Sequence, residues 1–255
     1  MPSMMGREKY DGTISTAEEA RKMCVLGNRI CAMDEVVDAF GHVTVRNPED
    51  PETFFISWAT SPEFVTKDDL QLCDFEGNIR DHANRPAYGE RILHARIYKA
   101  RPDVNAICHG HPASLMPFIC SDMAFRPVGN GAALFPDGVP LLEEWDPESG
   151  KAISTVAAAD SLADVLGPRR AALISEHGIV AVEDCVEKLL TVCNSLKTSA
   201  ELLFRILQIG AKPKFAKPEE LRMSALTALG AVGINRSWNY SVRKAKEMFP
   251  DLLGL

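Results

Sequence analysis

The chain has 255 residues, of which 28 are basic, 35 are acidic and 46% are hydrophobic, so its formal charge at neutral pH is −7. This apolar content is ample for a buried core in one large domain or two small ones. The acidic balance and the scattered basic residues argue against a nucleic-acid partner. No apolar stretch approaches the roughly 18 residues of a membrane span, and residues 1–11 lack a signal-peptide pattern, so we expect no membrane association.

The cysteines indicate a reducing environment. There are seven of them, with no C-x-x-C pair, in a chain too large to need disulfide staples. We therefore expect most of them to be small core residues of a cytoplasmic protein. A catalytic thiol is the alternative, although none of the seven lies in an activating sequence context.

The first third of the chain predicts one helix and three strands. Residues 1–14 are predicted to be a flexible tail. Two overlapping capping boxes in residues 15–19, followed by apolar residues at helical spacing, predict a helix that ends near Met33. Apolar or alternating runs bounded by glycine, proline and aspartate then predict strands at 36–46, 54–57 and 70–74.

The rest of the chain alternates between both kinds of element. A helix over 89–100 ends before Arg101-Pro102, because a residue that precedes proline disfavours the helical conformation. Residues 121–154 lose any period among glycines and prolines, and such long irregular segments often form the walls of a site. The other predicted strands are 104–109, 171–175 and 179–182, and the other predicted helices are 113–120, 155–166 and 185–210. Two further helices are predicted near the C-terminus, the first ending near residue 229 and the second beginning at residue 237.

Strands in the middle of the chain, with helices before, between and after them, predict a single α/β or α+β sandwich. We assign residues 15–210 to this domain. Residues 211–255 are predicted to be a helical extension that packs on the same domain or on a neighbouring subunit.

Four residues stand out as a candidate metal centre. His109 and His111 end a predicted strand, where side chains two positions apart leave the same face and can bind one ion. His177 also ends an apolar strand run and is the best third ligand. Glu90, in the first turn of the helix before the His109 strand, could ligate the ion or carry a proton. The alternative is that the histidines are structural and that Glu90 only favours the helix dipole.

Four stretches together resemble the class II aldolase/adducin family. They are Gly89-Glu90-Arg91 with His94, residues 100–106, His109-Gly110-His111 and residues 176–181. The resemblance covers about residues 15–210 and implies an α/β/α sandwich around a mainly antiparallel sheet, usually in a homotetramer with active sites between subunits. It also implies that His109, His111 and His177 hold a divalent ion beside Glu90 as the acid/base. Zinc suits three imidazoles best, and manganese, cobalt and iron are alternatives.

Departures from the family's aldolases point to one branch. Sugar-phosphate aldolases of the family bind phosphate with a Gly-Asn-x-Ser turn, a Thr-Gly loop and a Ser-Ser pair before the glutamate. This chain has His42, Trp58 and Tyr88 in the corresponding stretches, and these side chains suit a flat ring with a carboxylate or phenol better than a phosphate dianion. Residues 36–46 and 88–91 resemble the branch that decarboxylates hydroxylated aromatic or heteroaromatic acids.

The sequence therefore predicts a metal-dependent lyase that decarboxylates such a carboxylic acid through a metal-stabilised enolate. One histidine and one arginine would bind a carboxylate, and aromatic side chains, including two from the C-terminal extension, would line the pocket. These candidates for substrate contact are His42, Trp58, Tyr88, Arg91, Trp238 and Tyr240. His94 is expected to be an internal hydrogen-bonding residue. The alternatives are an aldolase or decarboxylase of a sugar phosphate or sugar acid, and a non-catalytic adducin-like scaffold.

Overall fold

A seven-stranded sheet between two layers of helices forms the core of the computed structural model, which describes residues 13–254. Most of the predicted tail, residues 1–14, lies outside this range. The strands are β1 (His42–Arg46), β2 (Thr53–Ser57), β3 (Leu70–Asp74), β4 (Ala106–Gly110), β5 (Leu141–Leu142), β6 (Ala171–Ile174) and β7 (Gly178–Glu183). The helices are α1 (Ala17–Met33), α2 (Arg91–Ala100), α3 (Met116–Ile119), α4 (Val156–Leu166), α5 (Val186–Gln208), α6 (Pro218–Ala228) and α7 (Ala231–Met248).

The sheet has the strand order β3-β2-β1-β4-β7-β6-β5, and its neighbouring strands are antiparallel except for the parallel pair β5 and β6. Helices α1, α5 and α7 cover one face, and α2 and α4 cover the other. This arrangement confirms the predicted α/β/α sandwich with a mainly antiparallel sheet. None of the helices between residues 13 and 254 is long and apolar enough to cross a membrane.

Strand β4 divides its side chains between the two faces. Ala106 and Cys108 lie in the core with α1 and α5, whereas Ile107 lies in the core with α2 and α4. Because side chains alternate along a strand, His109 leaves the same face as Ile107. Its partner across the sheet is His42 of β1. The pleat therefore directs both histidines toward the α2 side.

Local signals account for the helix starts, with two differences from the predictions. Thr16 caps α1 in a reciprocal capping box with Glu19, as predicted. Glu90 occupies the N-cap of α2 and not its first turn, since the helical residues begin at Arg91. Helix α7 begins at Ala231, earlier than the predicted start at residue 237, because burial of Ile234 outweighs the poor helix propensity of the residues around it.

The C-terminal helices belong partly to the core of this chain. Trp238, Val242 and Ala245 of α7 are buried in the cluster formed with α1 and α5. Helix α6, by contrast, has no buried residue. Helix α7 is thus packed on the domain, and α6 lies on the surface.

Candidate metal centre

Three separate segments meet at one end of the central strands. His109 lies in β4 and His111 directly follows it, His177 lies in the turn between β6 and β7, and Glu90 caps α2. The candidate ligand atoms of the three histidines all lie within 4.8 Å of one another. The structure therefore brings the four residues singled out in the sequence into one group.

The polar atoms of this group converge on a common point. The Nε2 atoms of His109 and His177 are 3.2 Å apart. Glu90 Oε1 lies 2.9 Å from His177 Nε2, and Glu90 Oε2 lies 3.4 Å from His109 Nε2. The Nε2 atom of His111 is buried and has no hydrogen-bond partner among residues 13–254. Three imidazole nitrogens and a carboxylate arranged in this way fit a divalent metal ion.

Hydrogen bonds at the Nδ1 atoms of His109 and His111 fix the tautomers of these two imidazoles. His109 Nδ1 is 2.9 Å from the carbonyl oxygen of Ile179, and His111 Nδ1 is 3.0 Å from Asp38 Oδ1. Each partner is an acceptor, so each Nδ1 carries the proton and each Nε2 presents its lone pair. The sequence did not indicate this role of Asp38, because a carboxylate in a turn has no spacing that relates it to a histidine at the end of another strand.

Glycines allow the backbone to approach closely beneath the ligands. A Cβ atom on Gly178 would lie 2.5 Å from the carbonyl oxygen of Gly110 and 2.7 Å from His111 Cδ2. Glu176, in the turn before His177, has a φ of 53° in the left-handed region. The tight β6–β7 turn therefore positions His177 beside the end of β4 only because residue 178 lacks a side chain.

The electrostatics keep the carboxylates ionised and His111 neutral. Burial acts to raise the pKa of Glu90, but the neighbouring rings of His109 and His177 outweigh it in the metal-free protein and hold the pKa well below its usual range. Burial lowers the pKa of His111, and the neighbouring His109 lowers it further. The pKa of Asp38 is also lowered, since hydrogen bonds from His111 and from two backbone amides exceed the opposing effect of burial. These protonation states suit cation binding.

A second layer of buried polar side chains lies beside the ligands. The His42 ring centroid is 5.3 Å from that of His109 and 4.4 Å from that of Tyr88. His42 Nδ1 is 2.8 Å from His94 Nε2, which makes His94 the internal hydrogen-bonding residue that the sequence predicted. Burial and the nearby His109 lower the pKa of His42 to about 3. Two of the candidates for substrate contact, His42 and Tyr88, thus adjoin the metal-ligand group.

The other four candidates for substrate contact make different contacts. Arg91 donates to the carbonyl oxygens of Gly77 and Tyr88, at 2.7 and 2.8 Å. Trp58 Nε1 donates to Asp69 Oδ1 at 2.8 Å. The remaining two lie on α7, where Trp238 is buried in the core of its own chain and Tyr240 is 65% exposed.

Three cysteines form a separate cluster on the opposite face of the sheet. The sulfur atoms of Cys31, Cys108 and Cys193 lie within 4.8 Å of one another. All three side chains are buried among apolar residues of α1, β4 and α5. Of the seven cysteines only Cys120 is exposed, which agrees with the prediction that most serve as core residues.

The fold is that of the class II aldolases. An aldolase II superfamily protein from Pseudomonas syringae superposes with a TM-score of 0.79 at 20% sequence identity, over 94% of this chain and 97% of that chain. Sugar-phosphate aldolases are also among the similar structures and sequences. Residues 21–204 match the family described as Class II Aldolase and Adducin N-terminal domain, and the chain belongs to this family.

The curated relatives include decarboxylases. Decarboxylase tropJ of Talaromyces stipitatus is 29% identical over 118 residues, which amount to 46% of this chain and 44% of that protein. The match therefore spans less than half the length of that relative. A 3,4-dihydroxyphthalate decarboxylase of Arthrobacter keyseri is 23% identical over 241 residues, covering 88% of this chain and 93% of that enzyme. The family thus contains both decarboxylases and aldolases.

Proposed function

We propose that the protein is a metal-dependent lyase that decarboxylates a hydroxylated aromatic or heteroaromatic carboxylic acid. The observation that carries this proposal is the contact of His42 and Tyr88, with ring centroids 4.4 Å apart, beside His109. An imidazole and a phenol at this place suit a flat ring with oxygen substituents. The relatives named as decarboxylases support the same assignment.

The histidines would hold the ion, and Glu90 would move the proton. A bound divalent ion supplies an electrophile that stabilises negative charge on substrate oxygens. Zinc suits His109, His111 and His177 best, with manganese, cobalt and iron as alternatives. The lowered pKa keeps the Glu90 carboxylate ionised, so it can accept the proton of a substrate hydroxyl whose acidity a bound divalent ion would raise. Glu90 then returns that proton to the ring carbon that bears the carboxylate.

The bond changes balance without a further reactant. Protonation of the ring carbon gives a keto form, the bond to the carboxylate breaks, and carbon dioxide leaves. The electron pair of that bond restores the aromatic ring as a phenolate. The side chains of Glu90, His111 and His177 retain 15 to 17% exposure, so a small carboxylic acid can approach from solvent.

The assembly and location that we propose follow the same reasoning. Apolar side chains of α6 and the start of α7 are exposed, among them Leu226 at 73% and Val232 at 86%. Such a surface suits burial against another subunit, and we propose a homotetramer with active sites at subunit interfaces. In that assembly Tyr240 could line a neighbouring pocket. All seven cysteines are free thiols, which supports a cytoplasmic location.

The deciding experiment measures carbon dioxide release from a panel of ortho-hydroxy aromatic acids by the zinc-loaded protein. We expect turnover of at least one acid, a loss of about 10²–10⁴-fold in Glu90→Gln with metal retained, and loss of both metal and activity in His111→Ala. His82→Asn is the matched control, because His82 is an exposed loop residue with a φ of 51°, which asparagine tolerates. Cleavage of a sugar phosphate without turnover of any acid would overturn the proposal.

That outcome would favour the second candidate, an aldolase of a sugar phosphate or sugar acid. The aldolases among the relatives support it, and the same histidines and Glu90 would serve either reaction. An adducin-like scaffold is distinguished by metal analysis. Absence of stoichiometric metal from purified protein would exclude both enzymatic functions as proposed.

A further inference from the structure

A chain of hydrogen bonds runs from the α2 side of the core to the edge of the metal-ligand group. Tyr98 Oη is 3.0 Å from Thr44 Oγ1, Thr44 Oγ1 is 2.8 Å from His94 Nδ1, and His94 Nε2 is 2.8 Å from His42 Nδ1. All four side chains are buried. We call these residues the Tyr98–His42 chain. His42 Nε2, at its end, is buried and has no partner among residues 13–254.

The positions of the polar hydrogens give the Tyr98–His42 chain a donor-to-acceptor direction. If Tyr98 donates to Thr44, Thr44 donates to His94 Nδ1 and His94 Nε2–H donates to His42 Nδ1, the one hydrogen without an acceptor is the Nε2–H of His42, beside His109. In the opposite direction Thr44 would donate to Tyr98. The hydrogen without an acceptor would then be that of the Tyr98 hydroxyl, since Thr44 is the hydrogen-bond partner that the described residues offer to Tyr98 Oη. If Thr44 accepted from both neighbours instead, its own hydroxyl hydrogen would be the one left over.

A charge on either imidazole also leaves a buried hydroxyl hydrogen without an acceptor. A proton on His42 Nδ1 would force His94 to donate to Thr44, and a doubly protonated His94 would do the same. In both cases one buried hydroxyl hydrogen, that of Thr44 or that of Tyr98, loses its acceptor, at a cost of about 1–3 kcal/mol. The direction from Tyr98 to His42 is favoured because it places the unpaired hydrogen beside the metal-ligand group, where a bound molecule can accept it, and not among the buried hydroxyls of Tyr98 and Thr44. In this direction His42 accepts at Nδ1, so its own proton is on Nε2.

We propose that the Tyr98–His42 chain fixes His42 as an Nε2–H donor that binds an acceptor oxygen of the substrate. This inference rests on the proposed function and adds the recognition of one substrate group, a carboxylate or phenolate oxygen beside His109. His94, Thr44 and Tyr98 act as positioning residues, and His42 makes the contact. A substrate with a donor group at this place would face the Nε2–H without forming a hydrogen bond.

The position of His42 supports this role. The His42 ring lies beside His109, its paired residue on the neighbouring strand β4, and against the ring of Tyr88. A buried N–H without a partner is unfavourable, so an anionic oxygen that reaches it gains a charge-assisted hydrogen bond. The Tyr98–His42 chain therefore links the buried hydroxyl of Tyr98 on α2 to the position of the proton on His42 beside the site.

The tautomer can be measured without any knowledge of the substrate. In zinc-loaded protein labelled with ¹⁵N-histidine, long-range ¹H–¹⁵N spectra report which ring nitrogen of His42 carries the proton, with His42→Gln providing the assignment. We expect the Nε2–H form in the native protein and in Thr44→Ser, which keeps the hydroxyl. Thr44→Val removes the link, and we expect a mixture of tautomers. An Nδ1–H form of His42 in the native protein would overturn the proposal.

Binding of 2-hydroxybenzoate tests the substrate contact separately. We expect the His42 Nε2–H proton signal to move downfield on titration in the native protein and in Thr44→Ser. Binding in Thr44→Val should weaken in proportion to the Nε2–H fraction that is lost, by about twofold for an equal mixture. Equal zinc content and equal thermal midpoints in both variants would exclude a folding defect. An unmoved His42 signal at saturation would overturn the contact. If the tautomer and the contact are found but no acid releases carbon dioxide, the proposed function is wrong and the proposed role of the Tyr98–His42 chain is retained.

Discussion

Asp38 and His111 are joined by a hydrogen bond of 3.0 Å between Oδ1 and Nδ1. The same carboxylate oxygen accepts from the backbone amides of Phe40 and Gly41, at 3.0 and 3.1 Å. One side chain therefore fixes both the turn that leads into β1 and the orientation of a candidate metal ligand. Histidine ligands supported by a carboxylate in this way are held in the tautomer that binds metal.

We expect Asp38→Asn to weaken zinc binding by about 10–100-fold. The asparagine oxygen can still accept from the turn amides, but a neutral amide is a weaker partner for His111 Nδ1–H. Competition with a chromophoric chelator measures the change. Asp103→Asn is the control, because the Asp103 carboxylate pairs with Arg101 and is 65% exposed. Equal zinc affinity in native protein and Asp38→Asn would contradict this role.

Removal of one ligand should abolish stoichiometric zinc binding. His177→Ala leaves two imidazoles, and metal analysis after dialysis is expected to show less than stoichiometric zinc with the fold retained. The native protein should melt at a higher temperature with zinc than with a chelator, because an ion that binds only the folded state stabilises it. The His177→Ala variant should not show this difference. Retention of full zinc by the variant would exclude His177 as a ligand.

Gly178→Ala should destabilise the protein and disturb the site. The added Cβ would lie 2.5 Å from the carbonyl oxygen of Gly110, which is backbone and cannot rotate away. We expect a loss of about 1–3 kcal/mol in the free energy of unfolding, measured with urea, together with weaker zinc binding. Gly89→Ala is the matched control for stability, since a Cβ on Gly89 meets nothing within 4 Å. Similar stabilities for the two variants would contradict the close approach seen here.

Acidification should destabilise the metal-free protein. The pKa of His42 falls from 6.5 to about 3 on burial, and burial also holds the pKa of His94 well below its ordinary value. The unfolded state therefore binds more protons as the pH drops below 6.5, and stability is lost there, by about 1.4 kcal/mol per pH unit for each group. The lowered pKa of Glu90 acts in the same direction below pH 4.5.

Urea unfolding at pH 7.5 and pH 5 measures this effect. His94→Gln removes one of the two imidazoles whose lowered pKa values are named above and should reduce the loss, whereas His82→Asn, at an exposed position, should leave it unchanged. Equal losses in His94→Gln and in the native protein would show that other groups govern the pH dependence.

Local patterns predicted a sandwich and the common face of His109 and His111, and the resemblance to the class II aldolase/adducin family implied the grouping of these residues with His177 and Glu90. Strand β3 has the predicted bounds, and the H-x-H spacing of His109 and His111 determines their common face. The two-residue strand β5 and the early start of α7 had no such pattern, since both depend on packing against distant residues. The same holds for Asp38.

The Tyr98–His42 chain shows why spacing alone cannot give a full site. His42 and Thr44 come from β1, and His94 and Tyr98 come from α2, about fifty residues later. Each pair has the period of its own element, two on the strand and four on the helix. Their alignment depends on how α2 lies across β1, which is a property of the tertiary structure.

The alternation of side chains along β4 also sets a condition on folding. Cys108 faces the thiols of Cys31 and Cys193, and its neighbour His109 faces the candidate metal centre on the other side of the sheet. A slip of β4 by one residue would exchange these two faces. It would offer a soft sulfur to the centre and bury an imidazole among apolar helices. Accurate pairing of β4 with β1 and β7 therefore determines whether an imidazole or a thiol faces the candidate metal centre.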